Sequence, residues 1–277
     1  MKLLSFNRCF NGEQRIYQHD SPVIGLPMKF SIYLPPQALQ GKPCLTLFYL
    51  AGLTCTEETF PIKAHAQRKA AELGIILVNP DTSPRGEEVA TGDHWDIGQG
   101  AGFYIDATQQ PWAAHFKMES YVSQELYELA ISNFPVDAGR IGIFGHSMGG
   151  HGALTLAFKY PQRFKSVSAF APIAAPADVP WGQKAFRTYL GGTEADWYAH
   201  DASRLISSKG RLFSNILVDQ GMQDQFLNQL GVDTLEQIAQ QAGQPLTLRR
   251  HDGYDHGYYF IQTFMDDHLQ FHVQQQQ

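Results

Sequence analysis

The feature that most constrains this chain is a short glycine-rich segment between an apolar run and a helix-forming run. Residues 141–144 are mostly apolar, residues 145–149 read Gly-His-Ser-Met-Gly, and a helical pattern follows. This Gly-x-Ser-x-Gly order predicts a strand that turns sharply into a helix with Ser147 at the tip. Both glycines are needed because so tight a turn leaves no space for a Cβ atom. The turn exposes the Ser147 hydroxyl group and directs a helix N-terminus towards it, where negative charge is stabilised.

The same segment has a plainer interpretation, in which Ser147 only caps the N-terminus of the following helix. An N-cap does not require a glycine on each side. Candidate acid and base residues also follow Ser147 in the order Ser, Asp, His. We therefore favour the nucleophile interpretation and keep the capping role as its alternative.

The rest of the 277-residue chain predicts an α/β fold. Extended segments divided by Asn-Gly and by prolines predict an antiparallel start over residues 3–34. After residue 44, strand patterns alternate with helical patterns, for example at about 62–73, 119–133 and 258–272, which predicts a mostly parallel sheet with helices on both faces. Two long stretches, about 84–117 and 173–211, interrupt this alternation and are predicted to be irregular insertions. Chains of this length and type commonly form one domain, so we expect a single α/β-hydrolase domain over residues 1–277.

Composition excludes several classes of function. The net charge is −6 and no cluster of Lys and Arg is present, which argues against nucleic acid or an anionic membrane as the partner and favours a small-molecule substrate. Residues 1–8 lack the apolar core of a signal peptide, and no later run is long enough to span a bilayer. The three cysteines form no Cys-x-x-Cys pair and no even set, which fits free thiols in a reducing compartment. We expect a soluble cytoplasmic protein.

Two short windows hold the candidate acid and base. An α/β-hydrolase scaffold carries its acid after a late strand and its base after the last strand. Asp219 and Asp224 compete as the acid, and we favour Asp224 because a carboxylate at the strand end, such as Asp219, more often caps backbone N–H groups. His251 and His256 compete as the base, and we favour His256 because it lies at the loop tip before the final helix.

These residue types are needed for definite chemical reasons. A serine hydroxyl group is protonated at neutral pH, so a histidine must accept its proton during attack and return it to the leaving group. Asp224 would hold the correct imidazole tautomer of His256. Negative charge then develops on the carbonyl oxygen, and the backbone N–H groups of Met148 and Leu53 are the candidate oxyanion-hole donors.

Other residues with reactive side chains receive plainer interpretations. His268 and His272 lie four residues apart, but the helical period directs them to the polar side and no third ligand is evident, so no metal site is predicted. Cys55 follows Leu53 by two residues and is expected near the site. We interpret it as a buried bystander in preference to a redox-sensitive residue.

Six segments together resemble the esterase D family of α/β-hydrolases, to which S-formylglutathione hydrolases belong. They are Gly52-Leu53-Thr54-Cys55-Thr56, Gly100-Ala101-Gly102-Phe103-Tyr104, 145–154, Pro180-Trp181-Gly182-Gln183-Lys184-Ala185-Phe186, Asp219-Gln220-Gly221 with Asp224, and Gly253-Tyr254-Asp255-His256 followed by Tyr258-Tyr259-Phe260. The resemblance covers nearly the whole chain. It departs from the family pattern at Ala51 and Gly257, where relatives usually carry serine.

The resemblance implies both an activity and a set of residues. The family's serine, aspartate and histidine fall on Ser147, Asp224 and His256, in agreement with the choices made from the residues themselves. It implies hydrolysis of the formyl thioester of glutathione to formate and free thiol, without a metal or a cofactor, as a step of formaldehyde detoxification. Members are often dimers, so a homodimer is implied. The same resemblance places Trp181 and Phe103 near the substrate pocket, and we add Cys55 to that neighbourhood.

Two alternatives to this function remain open at the level of sequence. A general short-chain carboxylesterase would use identical machinery and differ only in the fit of its pocket. A non-catalytic binding protein could keep the fold, although the intact candidate triad argues against it. Lys63 and Arg85 are conceivable partners for substrate carboxylates, and neither is favoured.

Overall fold

The computed structural model describes residues 1–276, which form a nine-stranded sheet with helices around it. The strand order is β1-β2-β3-β5-β4-β6-β7-β8-β9. β1 to β3 pair antiparallel and β3 pairs antiparallel with β5, whereas every later pairing is parallel. The predicted α/β class, with its antiparallel start, is confirmed. The strands are β1 (Lys2–Cys9), β2 (Gly12–Asp20), β3 (Pro27–Leu34), β4 (Cys44–Leu50), β5 (Ile76–Pro80), β6 (Val136–His146), β7 (Ser166–Phe170), β8 (Ile216–Gly221) and β9 (Leu246–His251).

Eleven α-helical segments of the described residues accompany this sheet. They are α1 (Pro36–Leu39), α2 (Thr59–Lys63), α3 (Gln67–Leu73), α4 (Met118–Ser120), α5 (Tyr127–Asn133), α6 (Met148–Lys159), α7 (Pro180–Tyr189), α8 (Glu194–Trp197), α9 (Ala202–Lys209), α10 (Val232–Ala242) and α11 (Tyr258–Gln275). None of the helices within residues 1–276 is long and apolar enough to cross a membrane.

The centre of the sheet is apolar on both faces. Every residue of β4 and β7 is buried, as are residues 141–146 of β6, because helices cover both sides of these parallel strands. Helix α6 is buried from Met148 to Phe158 and packs behind the carboxyl ends of β6 and β7. The turn between β6 and α6 is therefore held by the most tightly packed part of the molecule.

Two predicted helices are interrupted. The helix expected at about 62–73 is divided into α2 and α3 by a break at His65, whose φ of 56° is left-handed and ends a regular helix. The helix expected at about 119–133 contains a π-helical stretch, Tyr121–Leu126, between α4 and α5. The apolar period indicated the helices correctly but carried no signal for these local departures.

The two insertions differ in character. Apart from a 3₁₀ turn at Trp112–Ala114, the first is irregular as predicted. The prediction of an irregular second insertion was wrong, because residues 173–211 contain α7, α8 and α9. Each begins with a recognisable start signal: Pro180 in the first turn of α7, a capping box at Thr193, and Asp201 accepting from the N–H of Arg204.

The insertions contact each other beside the turn that follows β6. The Tyr189 hydroxyl group accepts from the N–H of Gly98 (2.7 Å) and donates to the carbonyl of Ala101 (2.7 Å). Lys184 pairs with the carboxylate of Asp96 at 2.6 Å. These contacts join the segments that carry Trp95 and Trp181, which lie in the candidate site described next.

Candidate active site

Ser147 lies on a strained turn between β6 and α6. Its φ of 58° and ψ of −119° belong to a region that a non-glycine residue rarely occupies. Three backbone hydrogen bonds hold it there: its N–H donates to Phe170, and its carbonyl accepts from His151 and Ile173, all at 3.0–3.1 Å. Because the surroundings impose this geometry, the side chain is presented at the carboxyl edge of the sheet.

The glycines around Ser147 are sterically required, as the sequence predicts. A Cβ atom on Gly149 would overlap the carbonyl oxygen of Leu50, and one on Gly145 would overlap that of Gly149. A Cβ atom on Gly52 would lie 3.3 Å from the Cβ of Ser147. The loop after β4 and the turn between β6 and α6 therefore pack against each other through backbone atoms alone.

His256 and Asp224 are joined by a short hydrogen bond. The distance from His256 Nδ1 to Asp224 Oδ2 is 2.6 Å. Asp224 also accepts from the N–H of Phe226 at 2.7 Å and from Gln220 Nε2 at 3.1 Å. Burial alone would raise the pKa of Asp224, but the hydrogen bond and charge of His256, with these two donors, hold it below its ordinary value. Asp224 is thus kept as a carboxylate that faces the imidazole.

The competing acid has a different set of partners. Asp219 is fully buried and accepts from Arg249 Nε and Nη2 at 2.6 Å each, and its Oδ2 lies 3.2 Å from His268 Nε2. Burial opposes ionisation of Asp219, but His268 and Arg249 hold its pKa well below its usual range. His251, the competing base, lies 3.3 Å from the same carboxylate. The structure thus brings together Asp224 and His256, and separately Asp219 and His251.

His256 lies beside the elbow turn that carries Ser147. The ring of His146, which precedes Ser147, lies 4.5 Å from the ring of His256, centroid to centroid. Among residues 1–276, no hydrogen bond joins Ser147 Oγ to His256. In enzymes of this kind, the hydrogen bond between nucleophile and base is often long or poorly aligned until substrate binds. The catalytic roles of Ser147, Asp224 and His256 stay predictions.

The loop after β4 approaches the same place. Thr54 has a left-handed φ of 69°, and its N–H donates to the carbonyl of Gly100 at 2.8 Å, while Tyr104 donates to the carbonyl of Ala51 at 2.9 Å. Within residues 1–276, the backbone N–H groups of Leu53, in the loop after β4, and of Met148, at the start of α6, donate to no protein acceptor. Both therefore remain available as the predicted oxyanion-hole donors.

An aromatic series leads from His256 to the surface. The ring of Phe226 lies 5.1 Å from that of His256, Trp181 lies 4.7 Å from Phe226, and Trp95 lies 5.8 Å from Trp181. Trp95 is 55% exposed, so the series ends in solvent. Trp181 is therefore one ring removed from the predicted base, and its role in a substrate pocket stays a prediction.

The other two predicted pocket residues have distinct environments. Cys55 is partly buried, and its Sγ lies 4.0 Å from the hydroxyl group of Tyr258. Burial raises the pKa of this thiol. Phe103 is buried, and its ring faces His151 and Tyr189. Its N–H lies 3.4 Å from Met148 Sδ, so Phe103 packs against the residue that follows Ser147, and its place near a substrate pocket stays a prediction.

The prediction that His268 and His272 lie on the polar side of the last helix is wrong. Both are fully buried. The ring of His272 contacts the hydroxyl groups of Ser166 (2.5 Å) and Ser168 (2.9 Å), and His268 contacts Ser168 at 2.8 Å. The serines of β7 supply polar partners that a helical period cannot anticipate. Among the described residues, no three His, Cys, Asp or Glu side chains group as a metal site would require.

Three residues of the candidate active site were not predicted from the sequence. Gln220 supports Asp224, His146 packs on His256, and Tyr258 contacts Cys55. All three lie inside segments that the sequence singled out, so their neighbourhood was indicated but not their roles. Gly257, one of the departures from the family pattern, donates its N–H to Asp255 Oδ1 at 2.9 Å, and this bond restrains the backbone next to the imidazole.

Comparisons with known proteins agree with this geometry. The chain is 52% identical over 271 residues to an S-formylglutathione hydrolase of Paracoccus denitrificans, covering 98% of this chain and 96% of that protein. It is 48% identical to the S-formylglutathione hydrolase of Rattus norvegicus, over 99% and 98% of the two chains. A solved S-formylglutathione hydrolase from Agrobacterium tumefaciens superimposes with a TM-score of 0.97 at 46% identity, covering 100% of both chains. Residues 21–271 match the Esterase family. The chain is therefore a member of the Esterase family.

Proposed function

We propose that this protein hydrolyses S-formylglutathione to glutathione and formate, with Ser147 as the nucleophile, His256 as the base and Asp224 as its orienting acid. The observation that carries the proposal is the 2.6 Å contact of Asp224 with His256 beside the strained turn of Ser147. The substrate follows from the relatives named above, which are 52% and 48% identical over nearly their whole length. The proposal needs no cofactor.

In the first half of the reaction, Ser147 Oγ attacks the thioester carbonyl carbon while His256 Nε2 accepts the hydroxyl proton. The carbonyl oxygen becomes an oxyanion, to which the N–H groups of Leu53 and Met148 donate. The intermediate collapses with cleavage of the carbon–sulfur bond, and the thiolate of glutathione takes the proton from His256. A formyl ester of Ser147 remains.

In the second half, water replaces glutathione. His256 accepts a proton from the water molecule as its oxygen attacks the formyl ester, and the same N–H groups stabilise the second oxyanion. Cleavage of the ester bond transfers the proton from His256 to Ser147 Oγ and releases formic acid, which loses its remaining proton to solvent and becomes formate. The carboxylate of Asp224 stabilises the imidazolium of His256 in both halves, because its depressed pKa keeps it charged.

The proposal is tested by comparing substrates. We expect kcat/KM for S-formylglutathione to exceed that for 4-nitrophenyl acetate and for a bulkier glutathione thioester by several orders of magnitude. The control is Ser147→Ala, in which loss on the order of 10⁶-fold is expected with the fold intact, by analogy with serine protease triads. Similar values for all three substrates, abolished in the control, would instead identify a general short-chain carboxylesterase.

Three further statements belong to the same proposal. One domain spans residues 1–277, in keeping with the single hydrophobic core that joins residues from Tyr17 to Leu269. The protein is cytoplasmic, in keeping with three free cysteines. It is a homodimer, as the family resemblance implies, and light scattering of the purified protein measures this directly.

A further inference from the structure

A groove that the mechanism above does not use lies next to the proposed base. It has a volume of about 600 Å³ and lies between the end of α2 and the start of α11. Its lining includes Asp255 and Gly257, the two chain neighbours of His256. We call it the Lys63 groove, defined by Ile62, Lys63, His65, Asp255, Tyr258 and Tyr259. In a serine hydrolase, the histidine protonates the leaving group, so a groove beside it lies on the leaving-group side.

Lys63 brings an unpaired positive charge to this groove. Its Nζ lies 5.9 Å from the centroid of the Tyr258 ring, within the range of a cation–π contact. Across residues 1–276, no carboxylate approaches Nζ within 4.0 Å, whereas Lys69, Lys159 and Lys184 each pair with one. The aromatic contact orients the ammonium group without neutralising it.

Tyr258 forms the wall between the Lys63 groove and the catalytic residues. Its ring lies 6.1 Å from that of His146, which in turn packs on His256. Its hydroxyl group lies 4.0 Å from Cys55 Sγ on the loop after β4. Burial raises the pKa of Cys55, and the positive charge of Lys63 opposes this shift. Lys63 is therefore close enough to affect the loop after β4, which carries the predicted oxyanion-hole donor Leu53.

Asp255 supplies the opposite charge. Its side chain is exposed, and Oδ1 accepts from the N–H of Gly257, which fixes the carboxylate at the groove. No Lys, Arg or His nitrogen of the described chain comes within 4.0 Å of it, so Lys63 and Asp255 do not neutralise each other. Ile62 and Tyr259, which are 67% and 80% exposed, provide apolar sides.

This arrangement selects a particular end of the glutathione molecule. A ligand group with a carboxylate and an ammonium group matches one free cation and one free anion, whereas a lone carboxylate would be repelled by Asp255. The γ-glutamyl end of glutathione carries both charges on one carbon atom, and the glycyl end carries only a carboxylate.

We propose that the Lys63 groove binds the zwitterionic γ-glutamyl head of the thioester, with Lys63 on its carboxylate and Asp255 on its ammonium group. This inference rests on the proposed function and adds the determinant of its leaving-group specificity. Lys63 acts on binding of the peptide and not on the reacting atoms.

The test compares Lys63→Gln with the wild type on formyl thioesters of glutathione, N-acetylglutathione and N-acetylcysteamine, and on 4-nitrophenyl acetate. Lys69→Gln on helix α3 is the matched control, because it removes the same charge outside the groove. For Lys63→Gln we expect kcat/KM with the glutathione thioester to fall about 10- to 100-fold, through KM, as loss of a charge-assisted bond requires. Values with N-acetylcysteamine thioester and 4-nitrophenyl acetate should stay within about twofold. The wild type should lose a comparable factor on N-acetylglutathione, which lacks the ammonium group.

Two results would overturn the inference alone. In one, Lys63→Gln keeps wild-type kcat/KM on the glutathione thioester. In the other, it loses equally on all four substrates, which would mean damage to the catalytic residues. Failure of the proposed function is visible separately, because the wild-type enzyme itself would then not prefer the glutathione thioester to the N-acetylcysteamine thioester.

Discussion

The two aspartates near the end of β8 allow a paired test of the site. Replacing Asp224 by Asn removes the charge that faces His256 Nδ1 at 2.6 Å. The amide can present its NH₂ group to the imidazole and so favour the wrong tautomer, which costs about 10⁴-fold in kcat, or roughly 5.4 kcal/mol of transition-state stabilisation. Phe226 N–H can still donate to the amide oxygen, which takes the place of Oδ1, whereas Gln220 Nε2 loses its acceptor because it bonds the oxygen that the NH₂ group replaces. The free energy of unfolding should therefore fall by only about 1 kcal/mol, the net value of one hydrogen bond.

Asp219→Asn should lower the free energy of unfolding and leave kcat nearly unchanged, the reverse of Asp224→Asn. Asp219 is fully buried, and its two hydrogen bonds with Arg249 hold a buried ion pair. Breaking such a pair costs about 3–5 kcal/mol of stability. The lower figure of about 3 kcal/mol applies because Arg249 is 31% exposed and keeps Asp267 as a partner at 2.7 Å. Since no contact of Asp219 reaches His256, kcat of the folded variant should stay within about threefold of the wild type.

Both quantities are measured on the same preparations. Hydrolysis of 4-nitrophenyl acetate gives kcat, and urea unfolding followed by tryptophan fluorescence gives the free energy of unfolding. The reasoning is refuted if Asp219→Asn, while folded, loses as much kcat as Asp224→Asn. It is refuted equally if Asp224→Asn keeps more than one-tenth of the wild-type kcat.

Three other expectations follow from particular contacts. Burial lowers the pKa of His151 to about 3, so the stability that its neutral form contributes is present above pH 6.5 and is lost as pH falls towards 3. In His151→Leu, the free energy of unfolding from urea titrations should rise less steeply with pH between about 3 and 6.5. An unchanged slope would contradict a lowered pKa of His151. Gly149→Ala should destabilise the protein by about 1–3 kcal/mol and also lower kcat, because the new Cβ overlaps the loop after β4. Unaltered unfolding would show that this approach is not tight. Alkylation should inhibit the wild type more than Cys55→Ser, and equal inhibition would remove Cys55 from the neighbourhood of the site.

Strands that are buried on both faces could be predicted from their apolar runs, although the runs did not fix every strand end to the residue. Residues 44–50 and 166–170 form β4 and β7 and are buried throughout, and an apolar run of this kind between turn residues has few other solutions. The elbow turn was equally predictable from its own five residues, and Gly145 is required there because its Cβ atom would overlap the carbonyl oxygen of Gly149. These features depend on residues close together in the chain.

Features that depend on distant partners could not be predicted. The burial of His268 and His272 requires the hydroxyl groups of β7, about 100 residues earlier in the chain. The support of Asp224 by Gln220 depends on the side-chain conformation that the folded loop imposes. The helices of the second insertion were missed because their lengths, from 4 to 10 residues, are too short to establish an apolar period.

The most direct test of the central claim is stoichiometric labelling with a fluorophosphonate, followed by peptide mass spectrometry. If Ser147 is the nucleophile and His256 its base, about one phosphonyl group per chain should appear on the peptide that contains Ser147, with simultaneous loss of thioester hydrolysis. Ser147→Ala should remain unlabelled and His256→Ala should label far more slowly. Stoichiometric labelling of another residue with loss of activity, or full hydrolysis by Ser147→Ala, would contradict the account.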